Sequence, residues 1–296
     1  MQLPTFIQII PPNFMDPGNQ GTAQTASFFL KATLLFVCIA MYQRTGKNKI
    51  LINQFSFKEK PPVVVTSVKP LIKKKKKKIY LTFDDGPNKG TQKVLHIMEE
   101  ENVPVTFFIV GEHVFASTGQ QQTWDSLRMA KQIELCNHSY SHAHNHYEDY
   151  YSEPDSVVSD FKRTRDSLQL DNNVCRAPGR NAWRIDTLQY TDLKKSKGAV
   201  DSLQKAGFAI MGWDLEWHYN PNDLTLKNTA DDLLRQIDSV FANHKTKCPE
   251  HLVLLAHDQV YADVNDSIEL HNFIRLLKLN EDYELELVSS YPGVKN

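Results

Sequence analysis

From residue 79 onward, short apolar segments alternate with amphipathic stretches of helical period, and this repeat most constrains the fold. Strands are predicted at 79–83 (IYLTF), 105–110 (VTFFIV), 133–136, 174–176, 208–213, 252–256 and 283–288. Helices are predicted between them, for example at 91–101, 155–168, 198–206, 229–242 and 265–279. Because a repeated strand-then-helix unit gives parallel strands with helical crossovers, we expect an α/β fold, either a barrel or an open doubly wound sheet.

Titratable residues follow five of these predicted strands. They are Asp84 and Asp85, His138 and His142, Arg176, Asp214, and His257. In α/β barrels the carboxyl ends of parallel strands form one face, and that face carries the active site. Five strand ends that agree in this way indicate a functional site rather than a chance pattern.

The first strand ends in two adjacent carboxylates, in "TFDDGP". If strand geometry persists, alternation points Asp84 and Asp85 to opposite sides, which would allow one to act as a base and the other as a metal ligand. Gly86 permits a tight turn and Pro87 ends the strand. A solvated polar strand end remains the alternative interpretation of this motif taken alone.

The segment "HSYSH" spaces His138 and His142 four residues apart, which stacks the two imidazoles if the segment is helical. Two histidines at this spacing commonly bind one metal ion, and Asp85 would complete a three-ligand site with a position left for water. The following His144 and His146 weaken the argument, because a histidine-rich segment produces such pairs by chance.

The later strand ends supply a cation, a carboxylate and an imidazole. Arg176 beside Asp84 would stabilise the ionised carboxylate and fix its direction. Either Asp214 or Glu216, both in "WDLEW", could orient a histidine. His257 leaves a buried apolar strand and is a candidate general acid.

Residues 1–78 differ in charge from the remainder of the chain. They hold 13 basic and 2 acidic residues, whereas residues 79–296 hold 21 basic and 33 acidic residues. We interpret 1–78 as an N-terminal signal or anchor segment and a basic linker that ends in six lysines, and 79–296 as the catalytic domain. An acidic domain without a Gly-rich phosphate loop after its first strand argues against nucleic acid and nucleotides as partners.

The apolar run at 32–42, extended back to residue 26, suits a signal-peptide core or a short membrane anchor. Export to the cell envelope or periplasm is the expectation. The basic residues that follow the run favour the alternative, a cytoplasmic location of the domain.

Four cysteines show no CxxC or metal-knuckle spacing. Cys136 and Cys175 fall at predicted strand ends, where free cysteine commonly packs as a small apolar side chain. A disulfide between these two is the alternative if their strands are neighbours.

Together, "TFDDGP", "HSYSH", "RAP", "WDLEW" and "LLAHD" occur in the order of the five motifs of the polysaccharide deacetylase (NodB-homology) family, carbohydrate esterase family 4, which residues 79–290 resemble. The resemblance implies an irregular, TIM-barrel-like (β/α) barrel of about seven parallel strands. It also implies a divalent metal, most often zinc, and the removal of acetyl groups from an N-acetylated glycan such as peptidoglycan or chitin-like oligosaccharide.

Carried over motif by motif, the resemblance implies Asp84 as catalytic base and Asp85, His138 and His142 as metal ligands. Arg176 would orient Asp84, and Asp214 would orient the general acid His257. "DLEW" is one residue shorter than the family's motif, so Glu216 stays an alternative to Asp214.

The chain also departs from the family where the third motif ends. Gly179 stands where the family has an aromatic residue, and we expect Trp183 to replace that aromatic wall. Arg180 and Arg184 would add cations near the cleft and favour glycans that carry carboxylates.

Two other functions fit the same residues less well. A non-catalytic glycan-binding barrel would be free to lose Asp84, and a hydrolase of small carbon–nitrogen amides is compatible with the fold, since fold alone does not fix the substrate. The oligomeric state is not predictable from the sequence.

Overall fold

The computed structural model describes residues 75–295 of the chain. Ten strands form one sheet: β1 (Lys77–Gly86), β2 (Val105–Ile109), β3 (Ile133–Asn137), β4 (Val174–Cys175), β5 (Ala182–Ile185), β6 (Leu188–Thr191), β7 (Ala209–Ile210), β8 (Leu215–Glu216), β9 (His251–His257) and β10 (Tyr283–Leu285). Eight α-helices connect them: α1 (Thr91–Glu101), α2 (Gly111–Phe115), α3 (Thr118–Met129), α4 (Tyr147–Ser152), α5 (Pro154–Leu168), α6 (Lys197–Lys205), α7 (Ala230–Ala242) and α8 (Val264–Leu279).

The strand order is β6-β5-β7-β4-β3-β2-β1-β9-β8, with β10 also paired to β1. All pairs are parallel except those of β5, which runs antiparallel to β6 and β7. The sheet curls into a half-barrel of mostly parallel strands, so the predicted α/β barrel-like fold is confirmed. All seven predicted strands are present, and the sequence reading missed β5, β6 and β8.

Strand β1 is the longest strand of the sheet and pairs with β2, β9 and β10, and its side chains enter the core on both faces of the sheet. Ile79, Leu81 and Phe83 pack with helices α1, α7 and α8 in one apolar cluster. Tyr80 points the other way, into a cluster that includes Trp183. This split follows from the two-residue period of a strand.

Side chains cap the N-termini of α7 and α8. Thr229 caps α7 in a capping box with Asp232, and the Asp263 side chain accepts two backbone N–H groups at the start of α8. The five helices predicted from the sequence agree with α1, α5, α6, α7 and α8 to within one residue at each end, and two of them, α7 and α8, begin at such a cap.

The described residues include the end of the lysine run that was predicted to be a linker. Lys77 and Lys78 belong to β1 rather than to the linker, and Lys78 forms ion pairs with Glu284 and Glu286. The predicted signal or anchor at 26–42 lies outside the described residues, and the domain boundary at 78 stays a prediction. Among residues 75–295, no helix is both long and apolar enough to cross a membrane.

Cys136 and Cys175 are buried free thiols on the neighbouring strands β3 and β4. The interpretation as small buried apolar side chains therefore applies, and the alternative of a disulfide between them does not.

Candidate active site

Both carboxylates of the first motif face the same cleft, which contradicts the expectation that they point to opposite sides. The pairing of β1 with β2 shifts register between Asp84 and Gly86, and Asp85 has a φ of 76°. The regular alternation of β1 is therefore interrupted at Asp85, where the left-handed backbone turns the second carboxylate back towards the first.

Arg176 holds Asp84 in place, as predicted from the sequence. Its Nη1 donates to Asp84 Oδ1 at 2.7 Å and to Thr82 Oγ1 at 2.8 Å, and its other nitrogens donate to the carbonyls of Met211 and Gly212. Arg176 is 0% exposed and Asp84 is 3% exposed. A buried charge needs such a complete set of partners, so this pair fixes the direction of the Asp84 carboxylate.

His138 and His142 meet through a turn, not through the stacked helical arrangement that their spacing suggested. His138 directly follows β3, and Ser139 and His142 have φ values of 67° and 48°. The two rings lie 5.1 Å apart between centroids. His138 Nδ1 donates to the carbonyl of Arg176 at 2.9 Å, which assigns the proton to Nδ1 and leaves Nε2 as a lone-pair donor towards Asp85.

Asp85, His138 and His142 form a group whose ligand atoms all lie within 4.8 Å of one another. Asp85 Oδ1 lies 3.4 Å from His138 Nε2 and 3.1 Å from His142 Nε2, and it is buried without a hydrogen-bond partner. Burial opposes ionisation of Asp85, but the two histidines outweigh it and hold the pKa of Asp85 well below its usual value. A buried carboxylate oxygen between two imidazole nitrogens fits a divalent cation.

The acid side of the cleft is arranged differently. His257 ends β9 level with Asp84 on β1, and its ring packs edge to face against Tyr219 at 5.2 Å. Its Nδ1 is buried and has no hydrogen-bond partner. The structure therefore places the predicted acid in the cleft without the carboxylate that was expected to orient it.

Asp214 does not contact His257, so the predicted pairing is wrong. Its carboxylate accepts the backbone N–H groups of Lys247 at 2.7 Å and Val253 at 2.9 Å. Asp214 precedes β8 and lies level with Val253, four residues and therefore ~13 Å along β9 from His257. Burial raises the pKa of Asp214 to about 6.

The alternative, Glu216, is nearer to His257. It pairs with Leu255 in the β8–β9 register, lines the same cleft as His257, and lies 3.4 Å from His218. Whether Glu216 orients His257 stays a prediction.

The cleft has a volume of about 780 Å³ and is lined by residues of both sides, with Tyr147, Trp213 and Tyr219 as its aromatic members. Trp183, a residue of β5, is fully buried in the core and does not line the cleft, so it does not replace the missing aromatic wall. Arg184 is also buried, and its side chain binds Asp201 and backbone carbonyls of the β5–β6 hairpin. Arg180 lies behind Tyr147, 5.5 Å from the ring.

Sequence reasoning missed the buried carboxylate that directly follows His257. Asp258 is 0% exposed and accepts hydrogen bonds from Asn88, in the loop after Asp85, and from Thr91, the first residue of α1. Burial raises its pKa to about 7. The signal was present, because Asp258 follows His257 as Asp85 follows Asp84: two titratable residues at one strand end.

Comparisons with known proteins agree with the resemblance seen in the sequence. Residues 72–192 match the family model described as polysaccharide deacetylase. A bifunctional xylanase/deacetylase of Pseudobutyrivibrio xylanivorans is 42% identical over 132 residues, which cover 44% of this chain and 18% of that relative. A peptidoglycan-N-acetylglucosamine deacetylase of Bacillus cereus is 24% identical over 191 residues, covering 62% and 61%. The chain thus spans less than two thirds of the length of these relatives.

Solved structures share the fold. The catalytic domain of a peptidoglycan N-acetylglucosamine deacetylase from Eubacterium rectale superposes with a TM-score of 0.54 at 23% identity, covering 77% of this chain and 96% of that one. A CE4 esterase from Streptococcus mutans gives 0.53 at 24% identity, covering 71% and 86%. Residues 72–192, which match the family model, are therefore similar to the polysaccharide deacetylases, and residues of all five sequence motifs lie at or beside one cleft.

Proposed function

We propose that this chain is a metal-dependent hydrolase that removes acetyl groups from an N-acetylated polysaccharide, such as peptidoglycan or a chitin-like oligosaccharide. One observation carries the proposal: Asp84, fixed by Arg176 at 2.7 Å, lies in one cleft with the group Asp85, His138 and His142 and with His257. The relatives, which include deacetylases of peptidoglycan, chitin and xylan, support the same class of reaction.

Asp85, His138 and His142 would hold the metal ion, for which we propose zinc because two imidazoles and one carboxylate suit it. Such an ion supplies Lewis acidity that lowers the pKa of water towards ~7 and polarises a carbonyl group. His138 is held for this role by the Arg176 carbonyl at its Nδ1, since that contact fixes the ring and its tautomer.

The residues of this chain divide the remaining chemistry between them. Asp84 takes a proton from the water whose oxygen adds to the acetyl carbon. The Gly179 backbone lines the cleft, and we propose that its N–H stabilises the oxyanion that forms. His257 then gives a proton to the sugar nitrogen as the carbon–nitrogen bond breaks, which leaves acetate and a free amino sugar.

Acetate release is the direct test. The purified protein is stripped with a chelator, reloaded with zinc, and incubated with chitooligosaccharide, peptidoglycan and acetylated xylan, while released acetate and bound metal are measured. We expect release that depends on the metal from at least one of these glycans. Binding of a glycan without acetate release would contradict the proposal.

Two matched variants test the assigned roles. Asp84→Asn should retain the metal and lose turnover by a factor of about 10²–10⁴, since it removes only the general base. His138→Ala should lose both metal and turnover, because it removes a ligand. Retained metal in His138→Ala together with lost metal in Asp84→Asn would reverse these roles.

The location of the protein is part of the proposal. A polysaccharide substrate of the cell envelope requires export, for which residues 26–42 are the proposed signal or anchor. Fractionation of cells that express the full chain tests this, and recovery of all enzyme from the cytoplasm would contradict it.

A further inference from the structure

Gly179 forms a cradle for the ring of Tyr147. A Cβ atom built on Gly179 would lie 3.0 to 3.3 Å from three ring atoms of Tyr147, Cε1, Cζ and Cδ1. Gly179 also has a φ of 61°, a backbone conformation that favours glycine. The ring of Tyr147 therefore packs directly on the backbone at 179, in space that any other residue there would take.

Three neighbours hold Tyr147 in this position. Its hydroxyl donates to Asn145 Oδ1 at 3.1 Å, and its ring meets His142 edge to face at 5.9 Å. The Arg180 guanidinium lies 5.5 Å from the ring and is itself fixed by Ser196 Oγ and the Gly179 carbonyl. A ring held on several sides loses little rotational freedom when a ligand binds, which favours affinity.

A second tyrosine lines the acid side of the same cleft. Tyr219 packs against His257, and its hydroxyl accepts a hydrogen bond from Gln259 Nε2 at 3.3 Å. Tyr147 borders the metal ligand His142, whereas Tyr219 borders the acid His257. The cleft thus carries one aromatic ring beside each half of the candidate chemistry.

We infer that Tyr147 is a substrate-positioning residue whose ring stacks on the apolar face of a pyranose ring, with Tyr219 as the second contact on the acid side. This rests on the proposed function, since it names the part of the glycan that the cleft recognises. The C–H groups on one face of a pyranose match the face of an aromatic ring, and aromatic side chains with a few polar groups are the usual lining of such clefts. Gly179 is then the residue that makes room for the ring of Tyr147.

The test compares Tyr147→Ala and Tyr147→Phe with the unaltered full-length, zinc-loaded protein. Binding of a glucosamine oligomer, the proposed product, is measured by calorimetry, and kcat and KM are measured with the N-acetylated oligomer. We expect Tyr147→Ala to weaken binding and raise KM by about 10- to 100-fold, as for a buried aromatic contact residue, with a smaller change in kcat. Tyr147→Phe keeps the ring and should remain within about threefold of the unaltered protein.

Tyr190→Ala is the matched control, because Tyr190 is 40% exposed and does not line the cleft. It should leave binding and KM unchanged. Metal content is measured for all variants. A loss of zinc in Tyr147→Ala would mean that Tyr147 supports His142 rather than the sugar, and it would overturn the inference.

The outcomes separate this inference from the proposed function. If the unaltered protein releases acetate but Tyr147→Ala binds and turns over the oligomer as well as the unaltered protein, only the positioning role is wrong. If the unaltered protein releases no acetate yet binds the oligomer through Tyr147, the proposed enzymatic function is wrong, but the inference that Tyr147 binds the sugar ring is supported. Equal losses in Tyr147→Ala and Tyr147→Phe would assign the effect to the hydroxyl and reject stacking.

Discussion

The cleft has two halves that are built in different ways. The metal half comprises Asp84, Asp85, His138, His142 and Arg176, and the acid half comprises His257 with Glu216 and Tyr219. In the metal half, Arg176 and His138 are joined to each other and to Asp84 by direct hydrogen bonds and short contacts. In the acid half, His257 Nδ1 has no hydrogen-bond partner.

The difference follows from where each residue leaves the sheet. His138 and Arg176 continue neighbouring parallel strands, and their backbones remain bonded to the adjacent chain: His138 N to the Ile109 carbonyl, Arg176 N to the Asn137 carbonyl. Glu216 is the last residue of β8, which lies at the edge of the sheet beside β9 alone, and Tyr219 lies in the loop after it. The strand before Arg176, β4, is equally short but lies inside the sheet between β7 and β3. The position of a residue that continues an inner strand is set by backbone hydrogen bonds to the neighbouring strands. The position of a residue in a loop after an edge strand depends on the path of that loop.

The largest expected effect is the loss of the central cation of the metal half. Arg176→Ala would leave Asp84 buried without its partner, which typically costs about 3–5 kcal/mol of folding free energy. Urea unfolding followed by circular dichroism measures this change. Arg165→Ala is the control, since Arg165 forms an exposed ion pair with Asp166 and should change stability by less than about 1 kcal/mol. If the two variants lose the same free energy of unfolding, the buried hydrogen bonds of Arg176 contribute no more to stability than an exposed ion pair, which would contradict the prediction.

The next prediction concerns Asp258, which joins the halves by following His257 and binding the loop after Asp85. Burial raises its pKa in the folded protein to about 7, above 3.8 for the unfolded chain, so protonation favours the folded state. This contribution is fully present below the unfolded value and is lost as the pH rises through about 7. Between pH 8 and pH 5 it should add about 2–3 kcal/mol to the free energy of unfolding of the metal-free protein.

Asp258→Asn removes this titration, so the free energy of unfolding of the variant should change less between pH 5 and pH 8. The measurement is urea unfolding of both proteins at several pH values with a chelator present. Asp155→Asn, on the surface at the start of α5, provides the control for an ordinary carboxylate. Identical pH dependence in the unaltered protein and in Asp258→Asn would exclude Asp258 as the source.

Sequence reasoning located the residues that the structure brings together in the metal half, because the largely apolar runs 79–83, 133–136 and 174–175 mark the strands that lead to them. It failed at Asp214, because this residue precedes the two-residue strand β8 instead of ending β7, and the side chain therefore lies ~13 Å along β9 from His257. It also failed for the direction of Asp85, where a register shift and a positive φ interrupt the alternation. No local pattern marks Tyr147, whose position depends on Gly179, 32 residues later in the chain.

The acid half can be resolved by two carboxylate variants. Asp214→Asn disturbs an acceptor of two backbone N–H groups, so we expect a loss of about 1–3 kcal/mol of stability with kcat within about threefold. Glu216→Gln should leave stability nearly unchanged and lower kcat about tenfold, if Glu216 orients His257 through the cleft. Acetate release and urea unfolding measure both effects. A tenfold loss of kcat in Asp214→Asn alone would restore the assignment made from the sequence.

The smallest effect concerns the backbone that carries His142. Four consecutive non-glycine residues, His142 to Asn145, have φ between 43° and 63°, a conformation that costs about 1–2 kcal/mol per residue for ordinary side chains. His144 is exposed and its ion pair with Glu112 is weak for that reason. His144→Gly should therefore be neutral or stabilising by less than about 1 kcal/mol, because relief of the backbone offsets the entropy of glycine.

Gln121→Gly is the matched substitution, at an exposed position of the regular helix α3, where glycine should cost about 1 kcal/mol. Thermal or urea unfolding of the two variants gives the difference directly. If His144→Gly is destabilising by as much as Gln121→Gly, the turn stores no strain. If it is not, the metal half holds His142 in place by means of an unfavourable backbone that its neighbouring contacts offset, which is the kind of local cost expected where function rather than stability determines the conformation.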